Sequence, residues 1–136
     1  MLDASKPRFL NPDRLAKPNG FSHVAIANAE RVVYVSGQVA YDSGGAIVGE
    51  GDIAAQTRQV FLNLKEALEA AGSDFGHTLK LTFFVKNLTP ERMALIRATR
   101  AEFLGTENPP ASTMVGVTAL AKEPLELEVE AYAMTA

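Results

Sequence analysis

Apolar positions along this chain recur at two spacings, alternating in short runs and then falling three or four apart, and each change of spacing marks a change of element. Two short apolar runs, His23 to Ala27 and Arg31 to Ser36, flank the polar stretch Asn28 to Glu30 and predict a β-hairpin. Gly44-Gly45 marks a further turn, with Ala46 to Val48 as a third strand. The helical spacing begins at Ile53 and continues through Val60, Leu64, Leu68 and Ala71, with Asp52 placed as N-cap and Gly72 as the stop. A strand is predicted over Thr78 to Val85. Thr89-Pro90 then supplies a cap and a first-turn proline for a second helix reaching Leu104, and Pro109-Pro110 closes its loop. Strands at Ser112 to Leu120 and Leu125 to Ala133 complete the order βββαβαββ, an α+β class. Residues 1–20 hold three of the seven prolines and read as an N-terminal arm, leaving residues 21–136 as one domain.

The strands Val32-Val33-Tyr34-Val35 and Leu81-Thr82-Phe83-Phe84-Val85 carry large side chains on both faces. Two helices cover one face of such a sheet. The second face then needs a partner, and further copies of the same chain are the economical source, so a homo-oligomer is expected.

Composition narrows the chemistry. A formal net charge of −3 offers no field for phosphate backbones or anionic lipid, so neither nucleic acid nor membrane is expected as a partner. With no cysteine, disulfides, thiolate nucleophiles and cysteine-held zinc are excluded. No run of about 18 apolar residues and no leader-like apolar core appear, which makes the cytoplasm the expected compartment. His23 and His77 are the only histidines, so no H-E-x-x-H pair exists; phosphate-cradling glycine motifs are also missing. No metal and no organic cofactor are expected. His77, between a helix and a strand, reads as a solvated loop residue.

Three segments remain as candidates. In Leu125 to Ala131, Glu126, Glu128 and Glu130 alternate with apolar residues, so strand geometry sets the three carboxylates on one face at spacings of about 7 Å. That face is either solvated or the wall of a cleft, and in a cleft a glutamate could position water or move protons. Pro109 to Thr113 presents the hydroxyls of Ser112 and Thr113 at a strand mouth, to orient a ligand or to satisfy backbone groups. Ser112 is not a hydrolase nucleophile, because no G-x-S-x-G turn accompanies it. In Ser36-Gly37-Gln38, Gly37 either lets backbone approach a ligand or forms a bulge.

Taken in order, Ser36-Gly37-Gln38, Ala55-Gln56-Thr57-Arg58-Gln59-Val60 leading to Asn63-Leu64, Ala70-Ala71-Gly72-Ser73, Lys80, Pro110-Ala111 and Glu128-Val129-Glu130-Ala131 resemble the reactive-intermediate-deaminase (Rid, or YjgF-like) family from about Gly20 to Ala133. The resemblance implies a chorismate-mutase-like α+β domain, a mixed sheet with two helices on one face, assembling as a homotrimer with ligand clefts between subunits. In the deaminating branch, enamines and imines are hydrolysed to 2-keto acids and ammonia without cofactor. A Pro-Ala-Arg segment there grips the substrate carboxylate, and a glutamate on the last strand positions water. By the same resemblance Glu128 is the catalytic residue, while Ser112, Thr113, Gly37, Ser36 and Phe21 bind ligand. Ser112 stands at the arginine position, and Phe21 stands where members tend to carry an aromatic hydroxyl. A standard 2-imino acid would therefore be held poorly, since a hydroxyl replaces charge-assisted bonds worth about 1.5–3 kcal/mol each. Either Arg14, Arg31, Arg97 or Arg100 supplies the charge, or the ligand differs. A non-catalytic metabolite-binding or sensing module is the alternative.

Overall fold

The computed structural model describes residues 5–28 and 30–136. Among them the chain forms β1 (Arg8–Leu10), β2 (Val24–Ile26), β3 (Val32–Gln38), α1 (Ile53–Ala70), β4 (Thr78–Lys86), α2 (Pro90–Leu104), β5 (Ala111–Val117) and β6 (Leu127–Met134). Both helices start where their caps predict. The Asp52 carboxylate accepts the Ala55 N–H at 3.0 Å, and the Thr89 hydroxyl accepts the Arg92 N–H at 3.2 Å. Each then stops at a glycine with positive φ, Gly72 at 77° and Gly105 at 69°, a conformation that would strain any residue with a Cβ. Of the predicted α1 stripe, Ile53, Val60, Leu64 and Leu68 are buried. Ala71 lies past the helix end and is exposed.

The main sheet runs β3-β6-β4-β5, with β4 and β5 parallel and the other pairs antiparallel. Period-two alternation sends Leu81, Phe83 and Val85 of β4 and Leu127, Val129, Ala131 and Ala133 of β6 to one face. There they bury against Val60, Phe61, Leu64 and Leu68 of α1 and Ile96 of α2, giving two helices on one face of a mixed sheet. Phe61 sits at the centre, its ring 5.8 Å from Phe75, 6.1 Å from Phe83 and 5.4 Å from Phe103. The opposite face holds Lys80, Thr82, Phe84, Glu128, Glu130 and Tyr132, all partly open. On the same face Tyr34 is 74% exposed and meets Tyr132 edge-on at 5.3 Å, while Val115 is 40% exposed.

Three expectations change. The predicted hairpin does not form: β2 pairs with β1, and β3 pairs with β6. Val33 and Val35 stand beside Ala133 and Ala131 over the core, a burial that β2, with Val24 and Ile26 exposed, does not offer. Ala29, inside the predicted turn, lies outside the described residues, as do residues 1–4 of the arm. The third strand shrinks to a single bridge, Tyr41 to Ile47. Asp42 clamps the Gly44-Gly45 turn by accepting the N–H groups of Gly44 and Ala46, both at 2.9 Å, and Gly49, with φ of 77°, ends the run. His77 is buried rather than solvated, its Nδ1 2.7 Å from Asp74 Oδ1.

One side of α1 is polar and faces protein. Gln56, fully buried, donates to the carbonyls of Pro124 at 2.8 Å and Gly49 at 3.3 Å and accepts the Glu126 N–H at 2.8 Å. Asn63 donates to the carbonyls of Val39 and Tyr41 at 3.0 and 2.9 Å, and Gln59 joins it at 2.9 Å. These amides bond backbone groups of loop 39–51 and of the approach to β6, adding to the few backbone bonds those segments make themselves.

Replacing the Gln56 amide with an apolar group of similar volume should therefore cost more than its size suggests. Gln56→Leu is expected to lower unfolding free energy by about 2–3 kcal/mol, because the Pro124 carbonyl and the Glu126 N–H lose their partner, while the Gly49 carbonyl keeps the Asp52 N–H at 2.9 Å. Urea unfolding followed by circular dichroism checks this, and a loss under about 0.5 kcal/mol would contradict it.

Candidate functional site

A β-bulge builds the first cluster. Between Val35 and Gln38 the β3–β6 register slips, leaving Ser36 and Gly37 at the irregularity. Gly37 lies so close beneath Glu128 that a Cβ there would stand 2.0 Å from Glu128 Oε2 and 2.8 Å from its Cγ. The glycine is thus the floor on which the partly exposed carboxylate rests. Ser36 is exposed, and its carbonyl accepts Gln38 Nε2 at 3.1 Å.

Glu126 and Glu130 have other attachments. Glu126 precedes β6, and its carboxylate pairs with Arg92 of α2. Glu130 takes a long contact, 3.5 Å, from the Tyr132 hydroxyl. The expected row of three carboxylates is therefore two on the strand and one drawn into an ion pair.

The second cluster surrounds the start of β5. Ser22 forms a parallel bridge to Ala111, its N–H donating to the Pro110 carbonyl at 3.0 Å and its hydroxyl to the Pro109 carbonyl at 2.5 Å. This seats Phe21 beside the strand mouth, its ring edge-on to His23 at 5.2 Å. His23 is held by the arm, with Nε2 2.6 Å from the Ala16 carbonyl. Register separates the two hydroxyls. Ser112 pairs with Leu81 and shares its helix-covered face, whereas Thr113 pairs with Thr82 on the open face and accepts Lys80 Nζ at 2.7 Å.

The predicted residues therefore fall into two groups. Glu128, Gly37 and Ser36 gather on the β3–β6 side, and Phe21, Ser112 and Thr113 lie at β5, the opposite edge. Glu128 and Ser112 are two strands and three residues apart in register and on opposite faces, roughly 14 Å at about 4.8 Å per strand and 3.3 Å per residue. One chain does not bring them together.

Between α2 and the turn at Gly20 lies a cavity of about 310 Å³ lined by Asn19, Gly20, Arg97, Arg100, Leu104 and Pro109 among others. Arg100 is 6% exposed, its guanidinium 5.4 Å over the Phe83 ring and donating to the Gly20 carbonyl at 3.2 Å. Burial, with the charge of Arg97 second, pushes its pKa below the ordinary guanidinium value. Nothing in the sequence ranked these two arginines above Arg14 or Arg31. The available signal was their i, i+3 spacing with no acidic residue three or four positions from either. Among the described residues no group of three or more His, Asp or Glu could hold a metal ion.

The sequence profile of the family described as endoribonuclease L-PSP matches residues 12–135. A RutC family protein of Pyrococcus horikoshii is 37% identical over 117 residues, covering 86% of this chain and 89% of that protein. The 2-iminobutanoate/2-iminopropanoate deaminase of Salmonella typhimurium is 38% identical over 105 residues, covering 76% and 79%. Among solved structures, a protein of unknown function of the Rid family from Yersinia pestis matches with a TM-score of 0.90 at 37% identity, covering 95% of this chain and 98% of that one.

The contact between Gly37 and Glu128 is testable by a double-mutant cycle. Gly37→Ala alone should destabilise by about 1–3 kcal/mol through overpacking, and most of that loss should vanish in a Glu128→Ala background. Equal losses in both backgrounds, read by urea unfolding, would contradict the contact.

Proposed function

The chain belongs to the endoribonuclease L-PSP family, known equally as the Rid or YjgF family, and on that premise we propose that it binds a small metabolite in clefts between the subunits of a homotrimer and hydrolyses an imine or enamine C–N bond there. The observation that carries this reading is the division of the candidate residues between opposite edges of the sheet. A neighbouring copy that brings its β5 edge to the β3–β6 side of the first completes one site from two chains. The apolar side chains on the open face, Tyr34 and Val115 among them, give such copies a surface to bury. Similarity to a 2-iminobutanoate/2-iminopropanoate deaminase supports the choice of bond.

In this reading Glu128 orients a water molecule and accepts its proton as the oxygen adds to the C=N carbon. The proton returns to nitrogen, and the tetrahedral adduct collapses to a carbonyl and ammonia. Gly37 leaves the carboxylate uncovered by any side chain of its own, and the Ser36–Gly37 backbone lies within reach of the same ligand. Phe21 walls the site from the neighbouring copy, while Thr113 offers its hydroxyl on the open face and Ser112 offers its own from the other face at the β5 edge. Since Ser112 occupies the position of the arginine in the deaminating branch, the substrate is held without a guanidinium from that segment, unlike a standard 2-imino acid. The acidic balance and the two histidines speak against RNA cleavage.

Turnover is tested by coupling the purified protein to an amine oxidase, which generates imines without a carboxylate, beside an amino-acid oxidase as the 2-imino acid comparison, and measuring ammonia release. Glu128→Gln should lower the rate about 100-fold or more while leaving the assembly intact. Mixing Glu128→Gln chains with Ser112→Asp chains, each inactive alone, should restore part of the activity through hybrid assemblies. Failure of the mixture to recover would overturn the shared site; a ligand bound with no turnover by wild type would make the chain a binding module.

A further inference from the structure

We infer that the cavity between α2 and the Gly20 turn is an anion site, in which Arg97 and Arg100 together receive a small carboxylate carrying a short apolar body. Two guanidiniums on one helix face line this cavity, and among the described residues neither has a carboxylate partner. Their remaining contacts are few. Arg100, more than nine-tenths buried, spends one donor on the Gly20 carbonyl and has no other acceptor among the described residues, while Arg97 Nε is buried with none. A guanidinium carries five N–H donors, and a buried one left short of acceptors costs free energy that a bound oxyanion would offset. Arg97 and Arg100 also repel each other, a cost that an anion shared between them removes.

The surroundings select the ligand. Two arginines suit the two oxygens of a carboxylate or the several of a phosphate. The walls favour the former, because Leu104, Pro109 and Ala101 supply apolar surface beside the charges. A volume of about 310 Å³ stands at the lower end of the range of small-molecule pockets, roughly 300–1,000 Å³. The backbone is shaped to fit: Gly20 has φ of 77°, which turns its carbonyl toward Arg100, and a Cβ there would stand 3.0 Å from Arg100 Nη2. The site is also placed for use, since Gly20 leads into Phe21 and Ser22 at the mouth of β5, and Phe83, beneath Arg100, is diagonal to Ser112 on the same face. The site stands on these observations and needs no turnover by Glu128.

Titration of isotope-labelled protein, followed by amide chemical shifts, tests the inference with butyrate, the neutral isostere butyramide and inorganic phosphate. Butyrate should shift the amides of Asn19, Gly20, Gly105 and Thr106 in a saturable manner, butyramide should not, and phosphate should bind more weakly than butyrate. Arg97→Gln, whose side chain is only partly buried, should weaken butyrate roughly tenfold or more, and Arg100→Gln at least as much. If Arg100→Gln fails to fold, Arg97→Gln carries the test alone. Equal binding of butyramide, or an unchanged butyrate affinity in Arg97→Gln, would overturn the site, and tighter phosphate would overturn the carboxylate. The same titration on Glu128→Gln should match wild type, so a protein inactive toward imines that still binds butyrate separates the two readings.

Discussion

The amide of Gln56 is the constraint from which the rest of this fold is set out. It reaches from α1 to the turn at residues 124–126, where the Pro124 carbonyl and the Glu126 N–H bond the amide as the backbone approaches β6. By fixing where β6 begins it fixes which residues of that strand face the helices. Because side chains alternate, a slip of one residue there would exchange Glu128 for Val129 on the open face. Loop 39–51 is held by the same side of the same helix through Gln56, Gln59 and Asn63. Gln56, Gln59 and Asn63 are thus a framework for the segments on either side of the bulge.

The bulge shows how a local irregularity serves a site. A regular strand would set a side chain beneath Glu128; the slip at Ser36-Gly37 sets a glycine there instead, and the carboxylate lies down on backbone. At the other edge, the bridge from Ser22 to Ala111 covers part of β5 and aligns the Gly20 turn with α2. Each edge of the sheet is in this way finished by an element that also positions candidate chemistry.

What could be read from sequence depended on how local the determining interactions were. Both helices were legible, since Asp52, Thr89 and Gly72 act within a turn of their own positions. The partner of β3 was not: short strands with apolar residues on both faces carry no local record of what lies beside them, and β3 pairs across nearly a hundred residues. The hydroxyls of Ser112 and Thr113 were read as a unit, although neighbours on a strand must point apart, and the structure assigns them to opposite faces. Glu128 and Gly37 were found separately, and only the register reveals that they touch. Arg100 resembled three other arginines until its burial set it apart.

The placement of β6 also governs how the chain can be made. It lies between β3 and β4, so the sheet has no centre until residues 127–134 have been synthesised. Before then β4 and β5 can pair in parallel, but β3 waits with Val32, Val33 and Val35 unpaired, exposing apolar edge to other nascent chains. High contact order of this kind slows folding, and it concentrates the hazard in the interval between the synthesis of Gln38 and that of Leu127. During that interval α1, capped at both ends and amphipathic, is the element best able to gather the apolar residues already made, and the late strand then inserts against its apolar stripe.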